Sequence, residues 1–212
     1  MSKKTMGIII PYYKNSEECE EEFKRLMDVL AKQVTDDMIM FIWEDGQLSK
    51  WLQKYNNENI IITGSTTNNG VSFARNQGID YLINKVNYIL FIDSDDMVDN
   101  DYLEVMRSYC ADATHEIVES TFFVNEVPAS FNSNLVRSGA AGSALKCDII
   151  QDIRFKENMQ IAEDTTFMNE TIDLKKHRKI HAPTKYIYKF GANPNSLIMR
   201  YNRNEIEEKR SD

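Results

Sequence analysis

Short apolar runs alternate with amphipathic segments through the first half of the chain. The runs long enough for buried strands are 7–10, 38–43, 60–63 and 88–92. After the first run, apolar side chains repeat at helical spacing, at Phe23, Leu26, Met27, Leu30 and Val34. The segment 71–86 predicts a second helix. This alternation predicts an α/β fold with a mostly parallel central sheet flanked by helices on both faces.

The second half is less regular, and its pattern predicts a shorter set of elements. Helices are predicted at 101–110 and 162–174, and strands at 117–124 and 185–190. A stretch of small residues at 138–143 would allow close approach of the backbone to another group. The charged tail from residue 202 predicts a frayed helix. Since no repeat or linker interrupts the chain, its 212 residues predict a single domain.

Composition excludes several classes of protein. There are 25 basic and 33 acidic residues, a net charge of −8, and this argues against a broad nucleic-acid surface. No apolar run approaches the ~20 residues of a transmembrane helix, and the apolar run near the N-terminus is too short for a signal peptide. Cys19, Cys110 and Cys147 are far apart, which favours reduced thiols in a cytoplasmic protein. Peripheral association with the inner membrane face stays open.

An acidic tetrapeptide, Asp93-Ser94-Asp95-Asp96, follows the apolar run 88–92. Asp93 and Asp95 fall on the same side of an extended chain, so both could reach one cation. Carboxylate oxygens suit Mg²⁺ or Mn²⁺ bridged to a phosphate, and ligands of open α/β sheets bind at strand ends of this kind. The alternative is an acidic turn that caps the following helix.

Polar groups also follow the other predicted strands. Pro11 and Tyr13 follow the first, Asp45 the second, and the turn 68–70 the third. In a parallel sheet these strand ends lie at one edge, so their side chains can converge on one ligand. The arrangement predicts a metal-dependent nucleotide site.

These motifs resemble those of the family 2 glycosyltransferases, which have the GT-A fold. The matching segments are 8–13, 44–46, 68–78, 93–96, Phe155, 163–165, 188–189 and 195–197. The resemblance covers nearly the whole chain and implies one GT-A domain over 1–212. A nucleotide-binding half would occupy about 1–98. An acceptor and catalytic-base half with a smaller antiparallel element would occupy about 99–212.

The resemblance implies roles on the donor side. Asp45 would accept a hydrogen bond from the uracil imide, and Pro11 and Tyr13 would pack around the base and ribose. Asn68 and Arg75 would bind the nucleotide and order its diphosphate. The alternatives are a turn residue at Asp45, a helix cap at Asn68 and a solvent-facing helix residue at Arg75.

The resemblance also implies roles at the acidic tetrapeptide and its surroundings. Asp93 would contact ribose or sugar with Ser94 beside it, Asp95 would bind the metal, and Asp96 would do no more than stiffen the turn. Some family members place a histidine near the last strand as a second metal ligand. His181 precedes the predicted strand, so a structural or surface role is favoured. Trp43 and Trp51 are expected to pack in the interior, not to stack on a sugar.

Glu163-Asp164 matches the family's late acidic pair, which implies that Asp164 is the general base. A sugar hydroxyl attacks poorly unless its proton is removed as the new bond forms, so the reaction needs such a group. The alternative for Asp164 is a helix N-cap worth ~1 kcal/mol. Residues 139–143 fall where relatives shape the donor-sugar pocket.

The resemblance implies a metal-dependent inverting glycosyltransferase that uses a UDP-sugar and Mn²⁺ or Mg²⁺. Its acceptor would be the hydroxyl of a glycan, lipid-linked intermediate or polymer in surface glycan or polysaccharide modification; nucleic acid is disfavoured by the net charge. Two rivals stay open. A sugar nucleotidyltransferase would need a Gly-rich loop after the first strand, which 11–15 lacks. A non-catalytic nucleotide-sugar or glycan-binding module would bind without turnover.

Overall fold

The structure is a computed structural model that describes residues 3–129, 139–159, 161–190 and 202–203. Its strands are β1 (Lys4–Tyr12), β2 (Met38–Asp45), β3 (Ile60–Ser65), β4 (Val86–Phe91), β5 (Met97–Val98), β6 (Ile117–Val124), β7 (Val127–Pro128), β8 (Ser143–Lys146) and β9 (Lys179–Tyr188). Its α-helices are α1 (Glu17–Leu30), α2 (Val71–Leu82), α3 (Tyr102–Ala111) and α4 (Glu163–Thr171). Short 3-10 turns occupy Leu52–Tyr55 and Cys147–Ile149.

All strands of the described ranges belong to one sheet with the order β3-β2-β1-β4-β8-β6-β9-β5, and β7 pairs with β6. Strands β3, β2, β1 and β4 are parallel, whereas β8 is antiparallel to both β4 and β6. Strand β9 is parallel to β6, and the short β5 returns antiparallel to β9. The predicted α/β fold with a smaller antiparallel element is confirmed. Because β6 and β9 run in the direction of β4, their carboxyl ends reach the same sheet edge.

Helices cover both faces of the sheet because successive strand residues point to opposite sides. Ile8 packs in one buried cluster with side chains of α1 and α3, such as Phe23 and Leu103. Ile9 packs in the other with side chains of α2 and α4, such as Ile79. Strand residues are therefore apolar in both directions, as expected for strands buried between two helix layers.

Strand β1 is longer than predicted and continues through Pro11 to Tyr12. The carbonyl of Ile9 accepts from Ile92 on the β4 side, so the nitrogen of Pro11, two residues later, faces the same side. Strand β4 has ended at that level, because its last register partner is Phe91 opposite Ile9. The missing N–H of Pro11 therefore costs no ladder hydrogen bond.

Strand β9 begins at Lys179, six residues earlier than the predicted start, and His181 lies inside it. The prediction that His181 precedes the strand is wrong. The register with β6 jumps from Ala182 to Lys185, so Pro183 lies in a bulge and does not end the strand.

Helix bounds also differ at their ends. Helix α2 stops at Leu82, because Val86 already begins β4, and α4 stops at Thr171, short of the predicted end. The three cysteines are buried and unoxidised, as predicted. Within the part of the chain that the structure describes, no helix has the length and apolar character to cross a bilayer.

Candidate active site

The carboxyl edge of the sheet gathers most of the polar residues singled out in the sequence. Asp45 ends β2, and Asp93 follows β4 by two residues. Tyr188 ends β9 at the same edge. The topology therefore brings the predicted nucleotide-binding residues and the late part of the chain to one place.

Asp45 is buried and organises the turn before α2. One carboxylate oxygen accepts from the backbone N–H groups of Asn69 (2.8 Å) and Gly70 (2.7 Å). The other accepts from the Asn69 side-chain amide (3.2 Å) and the Trp43 indole (3.4 Å). A uracil imide would therefore have to share or displace one of these donors.

Tyr13, Gly46 and Asn68 lie together beyond Asp45. Tyr13 is 46% exposed, and a Cβ built on Gly46 would lie 2.9 Å from its ring. Gly46 has φ +95°, a backbone conformation that favours glycine. Its lack of a side chain also allows the Tyr13 ring to approach closely. Asn68 is exposed, and its side-chain oxygen accepts from Gly70 N–H (3.1 Å). It therefore stabilises the turn before α2, while the helix N-cap is Gly70.

Pro11 and the two tryptophans frame this region. Pro11 is partly exposed and pairs in register with Trp43 on β2. Trp43 packs edge-on against Phe73, and Trp51 packs edge-on against Phe23 in the α1 layer. Both indoles thus take part in interior packing, as predicted.

Arg75 is the centre of the charge arrangement. Its Nη2 donates to Asp93 (2.8 Å) and its Nη1 to Glu163 (3.0 Å), while its guanidinium lies over the Phe155 ring. The side chain is almost fully buried, which differs from the alternative of a solvent-facing helix residue. Burial lowers the pKa of Arg75, but the charges of Asp93, Glu163 and Asp164 together raise it above its ordinary value, so the guanidinium stays charged. Arg75 thus links the acidic loop after β4 to the start of α4.

Tyr186 holds the acidic loop against β9. Its hydroxyl accepts from Asp93 N–H (3.0 Å) and donates to Asp96 (2.6 Å). The second Asp96 oxygen accepts from Lys189 N–H (3.1 Å). Asp96 is 1% exposed, so it stabilises the loop and does not face a ligand. Sequence reasoning missed Tyr186, and its only signal was its place in the last β-rich run.

Asp93, Ser94 and Asp95 are all partly exposed, and of the two aspartates only Asp93 is paired with Arg75. Burial raises the pKa of Asp95 to about 6, and the negative charge of Asp93 adds to the effect. Lys189 acts in the opposite direction, and its ammonium lies 3.3 Å from Glu22 of α1. The protein therefore provides little positive charge to offset the negative charge of the Asp95 carboxylate.

Glu163 and Asp164 form the first turn of α4. The helix begins at Glu163, and its N-cap is Ala162 with φ +60°. Asp164 is therefore inside the helix, and the alternative of an N-cap at Asp164 is wrong. Burial raises the pKa of Asp164, Asp93 raises it further, and Arg75 opposes the increase.

The small-residue stretch meets Asp164 at Gly139. A Cβ built on Gly139 would lie 3.2 Å from Asp164 Oδ2. The other members are buried in the sheet; Gly142 N–H, for example, donates to the Phe91 carbonyl (2.8 Å). Ser138 lies outside the described residues, as do 195–197.

The residues available for a metal are the acidic loop carboxylates. In the described ranges, no three His, Cys, Asp or Glu side chains converge as a ready-made metal cluster. Mg²⁺ and Mn²⁺ sites at diphosphates need only one or two protein carboxylates with substrate oxygens and water, so the poorly compensated Asp95 fits this demand. His181 lies five residues before Tyr186 on β9, which is roughly 16 Å along the strand, so it does not reach the loop.

A sheet of this topology with a carboxylate-lined carboxyl edge defines a protein of the GT-A type. S. aureus TarS 1-349 in complex with UDP-GlcNAc superposes with a TM-score of 0.74 at 18% identity, covering 91% of this chain and 60% of that one. The mannosyltransferase PcManGT from Pyrobaculum calidifontis in complex with GDP-Man and Mn²⁺ superposes with a TM-score of 0.66 at 12% identity, covering 99% and 66%. These superpositions show that the chain shares the fold of both proteins.

The sequence profile of Glycosyl transferase family 2 matches residues 7–180, and the chain belongs to this family. Minor teichoic acid biosynthesis protein GgaB of Bacillus subtilis (strain 168) is 27% identical over 175 residues, covering 74% of this chain and 19% of that protein. The chain thus spans about a fifth of GgaB and three fifths of the TarS fragment. The family predicted from the motifs, a family of glycosyltransferases, is confirmed.

Proposed function

We propose that the chain transfers a sugar from a UDP-sugar to an acceptor hydroxyl, with inversion at the anomeric carbon and with Mn²⁺ or Mg²⁺. The observation that carries the proposal is the ion-pair chain Asp93–Arg75–Glu163, which joins the donor side of the site to the start of α4 where Asp164 lies. A single buried guanidinium thus joins the loop that carries Asp95, the proposed metal ligand, to the helix turn that carries Asp164, the proposed base.

The donor would lie along the carboxyl ends of β1, β2 and β4. Tyr13 would pack on the base, because its ring is exposed beside the turn that Asp45 organises. Asp93 would contact the ribose or sugar, with Ser94 beside it. The metal would be held by Asp95 and would neutralise charge on the departing diphosphate. Because Asp45 already accepts four hydrogen bonds, its part in base binding includes shaping this turn.

Asp164 would take the proton of the acceptor hydroxyl as the new glycosidic bond forms and the bond to UDP breaks. Its raised pKa makes it a stronger base than an exposed aspartate. Arg75 would act through the carboxylates that it binds, because its side chain is almost fully buried and each terminal nitrogen donates to one of them. It would position Glu163 and Asp93 on either side of the reacting atoms.

The relatives support the proposed donor and acceptor classes. TarS was solved with UDP-GlcNAc and with UDP, and GgaB is a teichoic acid biosynthesis protein. We infer a UDP-hexose or UDP-N-acetylhexosamine donor and a surface glycan or polymer as acceptor. Residues 1–98 would form the donor half and 99–212 the acceptor half of one domain, and the buried thiols agree with a cytoplasmic location.

The proposal is tested by UDP release from a panel of UDP-sugars and GDP-mannose, with Mn²⁺, with Mg²⁺ and with EDTA. We expect release from a UDP-sugar that EDTA abolishes, and proton NMR of the product should show an inverted anomeric centre. Asp95→Asn should lose activity, whereas Asp101→Asn, at an exposed carboxylate that caps no helix nitrogen, should keep it. Binding of UDP-sugars without any turnover would favour the binding-module alternative.

A further inference from the structure

A row of aromatic rings runs along β6 and β9 towards the carboxyl edge. Phe122 stacks on Tyr186 (5.8 Å between centroids, 8° between planes) and on Tyr188 (6.1 Å, 21°). Tyr188 then contacts Phe190 at 6.2 Å. The row begins at a buried ring that holds the acidic loop and ends at Phe190, which is 43% exposed.

The exposed apolar side chains flank the carboxylates on two sides. Among the described residues, the large apolar side chains that are exposed are Tyr13, Leu48, Val127 and Phe190. Tyr13 and Leu48 follow β1 and β2, on the donor side. Val127 and Phe190 lie at the ends of β7 and β9, and Val127 pairs with Val124 of β6. This second position lies across β4 from the ends of β1 and β2, where the donor is proposed to bind, so it is available to a different ligand.

Tyr188 connects the aromatic row with the reacting groups. Tyr188 follows Tyr186 by two residues on β9, so both side chains lie on the same face of the sheet. Tyr188 is also next to Lys189, whose backbone N–H donates to Asp96. Burial raises the pKa of the Tyr188 phenol to about 12, and the charges of Asp96, Asp95, Asp93 and Asp164 all contribute. The contact of the neighbouring Lys189 N–H with Asp96 places Tyr188 beside the acidic loop.

We propose that Phe122, Tyr188 and Phe190 form the acceptor subsite and that its ligand is a pyranose ring of a glycan. A pyranose presents a flat face of C–H groups that packs on an aromatic ring, and its hydroxyls lie at the rim, where the Tyr188 phenol can bind them. The negative charges of Asp93, Asp95 and Asp164 act on the same phenol, so a polyol-phosphate chain is disfavoured there. The inference rests on the proposed function and names the acceptor class of that site.

The test compares acceptors and variants in one assay. The probes are methyl β-D-glucopyranoside and methyl N-acetyl-β-D-glucosaminide, with ribitol 5-phosphate as the phosphate-bearing probe. We expect Phe190→Ala to raise the acceptor KM about five- to tenfold, while the rate of donor hydrolysis and the affinity for UDP stay unchanged. Phe190→Tyr keeps the ring and should restore the KM.

A second pair of variants isolates the phenol. Tyr188→Phe should raise the acceptor KM, whereas Tyr55→Phe, which removes a hydroxyl bonded to Asp28 beyond the site, should not. Unchanged KM in the Phe190 and Tyr188 variants, or saturation by ribitol 5-phosphate but not by the pyranosides, would overturn the inference. So would dissociation of a dimer by Phe190→Ala, since the row would then be an interface between copies.

Saturation-transfer NMR of the pyranosides with the UDP-bound protein separates this inference from the proposed function. Binding that Phe190→Ala abolishes, without turnover of any donor, would support the subsite and contradict the enzymatic proposal. Turnover with no saturation transfer from either pyranoside would contradict the subsite alone.

Discussion

Arg75 carries more of this site than its sequence context indicates. Its side chain lies between Asp93 and Glu163, which are 18 and 88 residues away along the chain. A sequence motif can identify the arginine as a candidate site residue, but only the fold determines which carboxylates bind it. The resemblance suggested that Arg75 binds the nucleotide, and the structure shows a buried ion bridge inside the protein.

Replacing Arg75 should damage stability as well as activity. Arg75→Gln leaves the Asp93 and Glu163 carboxylates without their cation, so we expect a loss of about 3–5 kcal/mol in the free energy of unfolding, measured in urea. Arg75→Lys keeps the charge but not the two-pronged geometry and should recover only part of it. The matched control is Arg107→Gln, which removes a surface pair with Asp37 and should cost under about 1 kcal/mol. Equal losses of unfolding free energy in the Arg75→Gln protein and in the control would contradict a stabilising role for the Arg75 ion pairs.

The environment of Asp164 predicts the pH dependence of the rate. The group acts when deprotonated, and its pKa is raised, so activity should fall as the pH decreases through that raised pKa. The acid limb of the kcat/KM profile should therefore lie above the ordinary aspartate value of about 3.9. A limb at the ordinary value would mean that a different, exposed carboxylate controls the rate.

Helix α2 is held close to the sheet by a glycine in its middle. A Cβ on Gly78 would lie 2.7 to 2.8 Å from three carbons of the Ile9 side chain. Since Arg75 lies on the same helix, the position of its guanidinium depends on this close packing. The acidic loop depends in the same way on β9, through the Tyr186 hydroxyl.

Gly78→Ala should destabilise the protein although alanine is the better helix former. The gain in helix propensity is about 1 kcal/mol, and overpacking against Ile9 costs roughly 1–3 kcal/mol, so we expect a net loss and a lower melting temperature. Gln77→Ala, one position away and partly exposed, is the control and should change the melting temperature little. A stabilised Gly78→Ala protein would show that α2 can move away from β1 at no cost.

Most elements could be predicted from periodicity, and the exceptions have physical causes. Strand β6 was predicted with its observed bounds, because six of its eight residues are β-branched or aromatic. The start of β9 was missed because Pro183 is typical of a break, and a bulge that absorbs it depends on the neighbouring strand. Motifs in the sequence identify Asp93, Asp95 and Asp164 as candidate site residues. The supporting contact of Tyr186 with Asp96 joins residues 90 positions apart, so no local sequence pattern indicates it.

At the scale of the whole molecule, the two proposed halves share one sheet and both buried clusters. The antiparallel pair β4–β8 joins them, and cluster members such as Ile9 and Phe167 come from both halves. We therefore propose that the chain unfolds as a single cooperative unit. Calorimetry should give one transition, with equal calorimetric and van't Hoff enthalpies, and UDP with Mn²⁺ should shift all of it upward. Two separate transitions would assign the halves to independent units.

Sugar transfer as proposed depends on removal of the acceptor proton by Asp164. The most direct measurement is the steady-state rate of sugar transfer by Asp164→Asn, beside Asp101→Asn as the matched change at an exposed carboxylate. We predict a loss of about 10²–10⁴-fold in kcat for Asp164→Asn, with unchanged UDP affinity and unfolding, and no loss for the control. Full transfer activity in the Asp164→Asn protein would contradict the account.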